Sequence, residues 1–175
     1  KTITIFMDIF ENINFSILSY TQDLFANSDI KVYYTRTKDK FISLQDRTKF
    51  VKEVEADLFI SLHMNASELE AAAGTEIFYS KANNSATEYG LTSYKLGKAL
   101  IGNITAAMNS KSRGVSKSEY YVVENNSVPA VLIELGFISN NAERKKLVNT
   151  TYQKNVAQAI YDSVIEIFCT YPTGR

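Results

Sequence analysis

The sequence predicts an α/β fold, a twisted, mostly parallel sheet of about six strands with helices on both faces. Three observations lead there. Short β-rich runs alternate along the chain with segments of helical periodicity. The central runs Leu58–Leu62 and Ala130–Ile133 are nearly continuously apolar, as strands covered on both faces are. Glycine and proline are sparse, 7 and 2 among 175 residues, with no internal repeat or low-complexity linker, so one domain over residues 1–175 is expected.

In order, Thr2–Asp8 predicts the opening strand, and Ile13, Ile17, Tyr20 and Leu24 recur at helical spacing up to about Asn27. Lys31–Arg36 predicts the second strand. Ser43, with Asp46 three positions on, resembles a capping box for a helix through Phe50, Val51 and Val54, and Asp57–His63 is the third strand. The loop Ala71–Gly74 precedes a strand Thr75–Tyr79. A long helix then carries Gly97, Leu100, Ile101, Ile104 and Met108 on one face, where the small residues permit close packing. Glu119–Val123 and Ala130–Glu134 predict two more strands, and Ala142–Val148 a short helix. Tyr152, Val156, Ile160, Val164 and Phe168 predict the last, longer helix.

Charge and cysteine content exclude several function classes. Nineteen Lys and Arg balance nineteen Asp and Glu without a like-charge block, so no nucleic-acid partner is expected. No apolar run approaches the roughly 18 residues of a span, so no membrane span is expected either. Cys169 stands alone and forms no intrachain disulfide.

Chemistry in open α/β sheets gathers at the carboxyl ends of strands. Two apolar runs end there in ionisable groups: Leu58–Leu62 in His63, the only histidine, and Ala130–Ile133 in Glu134. Alone, His63 reads first as a hydrogen-bonded structural histidine, and Glu134 equally as a carboxylate that reaches solvent or an arginine such as Arg113. Together they suggest a shared cleft, because a metal ligand and a general base need one.

Several segments then resemble, in order, the zinc-dependent N-acetylmuramoyl-L-alanine amidase family, which cleaves bacterial peptidoglycan. They are Thr35-Arg36, Leu44–Arg47, Ala56–Ser67 with its Ser-Leu-His-Met-Asn core, Arg113-Gly114-Val115, and Val128–Asn140 with Glu134-Leu135-Gly136-Phe137. The resemblance runs from about Ile13 to the C-terminal helix and implies the α/β fold predicted above. It implies a zinc (Zn2+) cofactor with His63 as ligand and Glu134 as the catalytic carboxylate beside the metal-bound water. Zinc lowers the pKa of bound water toward about 7 and polarises the scissile carbonyl. A nearby glutamate takes the water's proton and returns it to the leaving amine. The bond would be the amide between N-acetylmuramic acid and the L-alanine of the stem peptide. Arg113 and Asn65 would contact substrate or support the site. The setting would be extracellular, in the cell wall or spore envelope of a bacterium, with a regulatory protein as a further partner.

The chain departs from the family pattern after its first strand. Where the family carries a glycine-rich turn with a first histidine ligand, this sequence reads Asp8, Ile9, Phe10 and Glu11. Glu11 is the one nearby carboxylate for the family's glutamate ligand, one residue out of register; its other reading is an acid favoured by the helix dipole. The alternative to an enzyme is therefore a catalytically silent or partner-dependent amidase-fold module that binds peptidoglycan.

Overall fold

The structure, a computed structural model, describes residues 1–7, 11–35 and 41–173, with the backbone alone at 4–7 and 11–12. Among them, β1 (Thr2–Met7), β2 (Lys31–Tyr34), β3 (Leu58–Asn65), β4 (Thr75–Tyr79), β5 (Ser112–Lys117) and β6 (Ala130–Phe137) form one six-stranded sheet in the order β2-β1-β3-β6-β4-β5. The helices are α1 (Glu11–Phe25), α2 (Leu44–Glu53), α3 (Ser93–Met108), α4 (Tyr121–Glu124), α5 (Asn141–Leu147) and α6 (Thr150–Thr170). Every strand pairing is parallel except β4 with β6. The carboxyl ends of β1, β3 and β6 therefore meet the amino ends of β4 and β5 along one edge.

Side-chain alternation divides the sheet between two cores. Leu58, Ile60 and Leu62 of β3, Val131, Ile133 and Leu135 of β6, and Ile77 and Tyr79 of β4 pack against α1, α3 and α6. The intervening Phe59, Ala130 and Leu132 pack on the opposite face with Val51 of α2 and Val122 and Val123 of α4, and Phe78 adds its ring there. Fully buried Phe59 contributes about 2–3 kcal/mol of apolar burial to that second layer. The α2–α4 layer is the smaller one. It leaves the later residues of β3 and β6 on this face, His63 and Glu134, half-buried rather than covered.

Local signals account for the helix ends. Ser43 accepts a hydrogen bond from the Asp46 amide and its hydroxyl donates to the Asp46 carboxylate, so the predicted cap forms. Gly97 on α3 is where helix meets sheet most closely: a Cβ there would lie 2.9 Å from Val115 Cγ1 and 3.3 Å from Ile77 Cγ2.

Three expectations need correction. Glu119–Val123 is not a strand; Tyr121–Glu124 forms α4. Its valines and aromatics favour strands, but adjacent Val122 and Val123 are both buried in the second core, which a strand's alternation would prevent. The missing strand is β5, whose sequence SRGVSK lacks an apolar run because it lies at the sheet edge. Finally, β3 and β6 run past His63 and Glu134 to Asn65 and Phe137. Asp8 and Arg36, the expected ends of the first two strands, lie outside the described residues. Among those described, no helix is long and apolar enough to cross a membrane.

Candidate active site

Three ionisable residues on three adjacent strands share one face. His63 is in register with Glu134 across the parallel β3–β6 pair, and Glu134 with Glu76 across the antiparallel β6–β4 pair. Register partners project to the same side, so imidazole and two carboxylates form a row where the α2–α4 layer gives out.

His63 is oriented from within its own strand. Ser61, two residues earlier and fully buried, is hydrogen-bonded through its hydroxyl to His63 Nε2 at 2.7 Å. Asn65, expected to support His63 or line the cleft, accepts at its side-chain oxygen from the Ala66 amide at 2.8 Å and at its backbone carbonyl from the Ile138 amide at 2.8 Å. It thereby ties the end of β3 to the turn after β6.

The two carboxylates stand in different surroundings. Glu76 accepts from Ser116 Oγ at 2.8 Å and from Arg113 Nε at 3.1 Å, so both oxygens are engaged. Glu134 Oε2 is buried and makes no hydrogen bond among the described residues. Burial, with the neighbouring Glu76 charge added, pushes the Glu134 carboxyl up to about 7. Tyr120 completes the group. Its ring meets Phe78 edge-on at 5.3 Å, and its hydroxyl is raised by burial and by the charges of Glu134 and Glu76. A carboxyl that titrates near neutrality can both accept and deliver a proton, which is what hydrolysis of an amide requires.

Arg113 thus pairs with Glu76 rather than Glu134. Glu76, Ser61, Ser116 and Tyr120 were not anticipated from sequence. Glu76 carried a readable signal: a charged residue between Thr75 and Ile77 on the half-buried face of an inner strand has to be paired or functional. A hollow of about 830 Å³, lined by Lys81, Lys117, Glu119 and Glu124 among others, lies elsewhere, at the carboxyl ends of β4 and β5. That is the opposite sheet edge from the carboxyl end of β6.

A catalytic zinc takes three protein ligands. Among the described residues no three His, Cys, Asp or Glu side chains could hold one metal ion, so these residues alone do not fit it. His63 is one donor of suitable chemistry. Glu11 opens α1 after β1, whose last residue, Met7, is in register with Leu62 beside His63. The Glu11 side chain itself lies outside the described residues.

The chain's likenesses bear on this site. It is 31% identical over 134 residues to the N-acetylmuramoyl-L-alanine amidase LytC of Bacillus subtilis (strain 168), a match covering 77% of this chain and 26% of LytC. The chain thus spans about a quarter of that relative's length. The N-acetylmuramoyl-L-alanine amidase of Clostridium difficile 630 superposes with a TM-score of 0.85 at 26% identity, over 97% of both chains. The CwlD amidase of Clostridioides difficile, solved in complex with the GerS lipoprotein, superposes with a TM-score of 0.82 at 26% identity, over 97% of this chain and 98% of that one. A family model described as N-acetylmuramoyl-L-alanine amidase (Amidase_3) matches residues 9–166. With the α/β sheet and the His63–Glu134 pair it carries, the chain belongs to the N-acetylmuramoyl-L-alanine amidase family of peptidoglycan hydrolases.

Proposed function

We propose that this chain hydrolyses the amide joining N-acetylmuramic acid to the L-alanine of the stem peptide, with Glu134 as the proton-transfer group. The observation that carries the reading is the Glu134 carboxyl itself: buried, with an unpartnered oxygen, titrating near 7, beside His63. Ionised, it takes a proton from the water that attacks the amide carbon. Protonated, it delivers that proton to the alanine nitrogen as the carbon–nitrogen bond breaks, leaving a muramic carboxylate and a free peptide amine. Ser61 holds the His63 ring in place, and Arg113, steadied by Glu76, faces the substrate.

Zinc dependence belongs to the same reading, with His63 and Glu11 as the ligands it assigns; no step above is routed through the metal. The place of action is the bacterial cell wall or spore envelope, where the substrate lies. A regulatory protein partner is part of the reading too, supported by the relative solved with a lipoprotein. The silent-module alternative is not favoured, because the relatives matched are named as amidases. The decisive experiment incubates the purified chain with purified muropeptide and zinc and follows the new alanine amine. Glu134→Gln should lower the rate by about 10²–10⁴-fold. Unchanged turnover in that variant overturns the assignment.

A further inference from the structure

β5 does not run evenly beside β4. Thr75 pairs with Ser112 and Glu76 with Gly114, so Arg113 is the extra residue of a bulge, and Gly114 takes a φ of +91°, where a side chain is strained. Arg113 is therefore opposite no single residue of β4. Its Nε donates to Glu76 Oε2 at 3.1 Å, and its guanidinium lies 5.2 Å from the centre of the Phe137 ring.

The guanidinium is therefore held at Nε by a carboxylate, with its central carbon over an aromatic ring. Glu76 is in turn anchored by Ser116 from the same strand. One terminal nitrogen makes only a 3.5 Å contact with the Ala73 carbonyl, and the side chain is 38% exposed. At that exposure the ion pair adds little stability, so the clamp serves orientation better than folding. A partly exposed planar fork held at Nε keeps its terminal nitrogens for a two-pronged carboxylate contact. Glu76 and Glu134 are register partners on strands about 4.8 Å apart, so a group one or two residues along the stem from the scissile amide can reach Arg113.

We propose that Arg113, oriented by Glu76 and Phe137, is a subsite for a free carboxylate on the stem peptide, and that the chain selects such stems over those in which the carboxylate is amidated. The inference rests on the peptidoglycan reading above. Its test is isothermal titration of the full chain with two muramoyl pentapeptides that differ only in carrying D-glutamate or D-isoglutamine at the second position. The wild type should bind the D-glutamate form about tenfold more tightly, a difference that higher salt reduces. Arg113→Gln should level the two affinities, and Glu76→Gln should narrow the gap, since the fork then loses its clamp.

Equal wild-type affinities, or a preference that survives in Arg113→Gln, overturn the subsite while leaving the amidase reading standing. Binding of neither peptide overturns both. Should Arg113→Gln fail to fold by circular dichroism, the wild-type comparison and its salt dependence decide the matter alone.

Discussion

His63 and Glu134 are register partners across β3 and β6, so the one imidazole of the chain and the one carboxylate oxygen that is buried without a hydrogen bond among the described residues project side by side from the same face of the sheet. A single row of backbone pairing sets this relationship. Any change that slips β3 against β6 by one residue would send one of the two into the opposite core.

The raised Glu134 carboxyl has a consequence for stability. Its ordinary value is 4.5 and its folded value about 7, so the folded state binds the proton more tightly than the unfolded chain. The contribution is fully present below about pH 4.5 and is lost as pH rises through 7, amounting to about 3 kcal/mol. Denaturant titrations of the metal-free chain should therefore show wild type losing stability between pH 5 and 8 relative to Glu134→Gln. Parallel curves for the two proteins across that range would contradict the assignment.

Glu76 is the second, smaller cause of that shift, after burial. Replacing it with glutamine removes the neighbouring charge and should move the acidic limb of the activity profile to lower pH. Burial should still hold it above the ordinary carboxylate range. The pH dependence of kcat/KM, measured for both proteins, checks this; an unmoved limb means the two carboxylates are not coupled.

Metal binding should depend on His63. With zinc added to the metal-free chain and followed by calorimetry, His63→Ala should abolish binding, and Glu11→Ala should weaken it. Ser61→Ala, which removes the 2.7 Å hydrogen bond to the ring, should weaken zinc by roughly 10–100-fold, the usual effect of losing a group that orients a ligand. Full zinc stoichiometry in His63→Ala would show that the ion sits elsewhere.

Glu143 joins the loop before β4 to the end of β6, accepting from the Gly74 amide at 2.8 Å and from the Phe137 amide at 2.7 Å. Glu143→Ala leaves both amides without that partner, at about 1–3 kcal/mol for each that stays buried. A lowered melting temperature is expected, together with weaker substrate binding, because the Arg113 guanidinium lies over the Phe137 ring. A variant as stable as wild type would show that water replaces the carboxylate.

Much of the architecture was legible in the chain because its physics is local. Alternation and apolar runs marked β1, β3, β4 and β6, and helical spacing marked α1, α3 and α6. Ser43 announced the start of α2 through its capping hydroxyl. His63 and Glu134 stood out as ionisable residues at the ends of runs that are otherwise nearly all apolar, and burying a charge demands a reason.

What local pattern could not decide was set by contacts between distant segments. Edge strand β5 has only one neighbour, β4, so its residues need no apolar period, and Val122 and Val123 coil into α4 because the second core accepts two adjacent side chains there. The antiparallel pairing of β4 with β6 places Glu76 beside Glu134, and the pairing of β4 with β5 brings Arg113 within hydrogen-bond distance of Glu76. Those are properties of strand order and register, in which residues 37 and 58 positions apart meet, and no window of sequence contains both partners. The sequence by itself determined the α/β class, most of the strands and helices, and the candidacy of His63 and Glu134; the tertiary structure alone decided β5, α4 and which charges surround that pair.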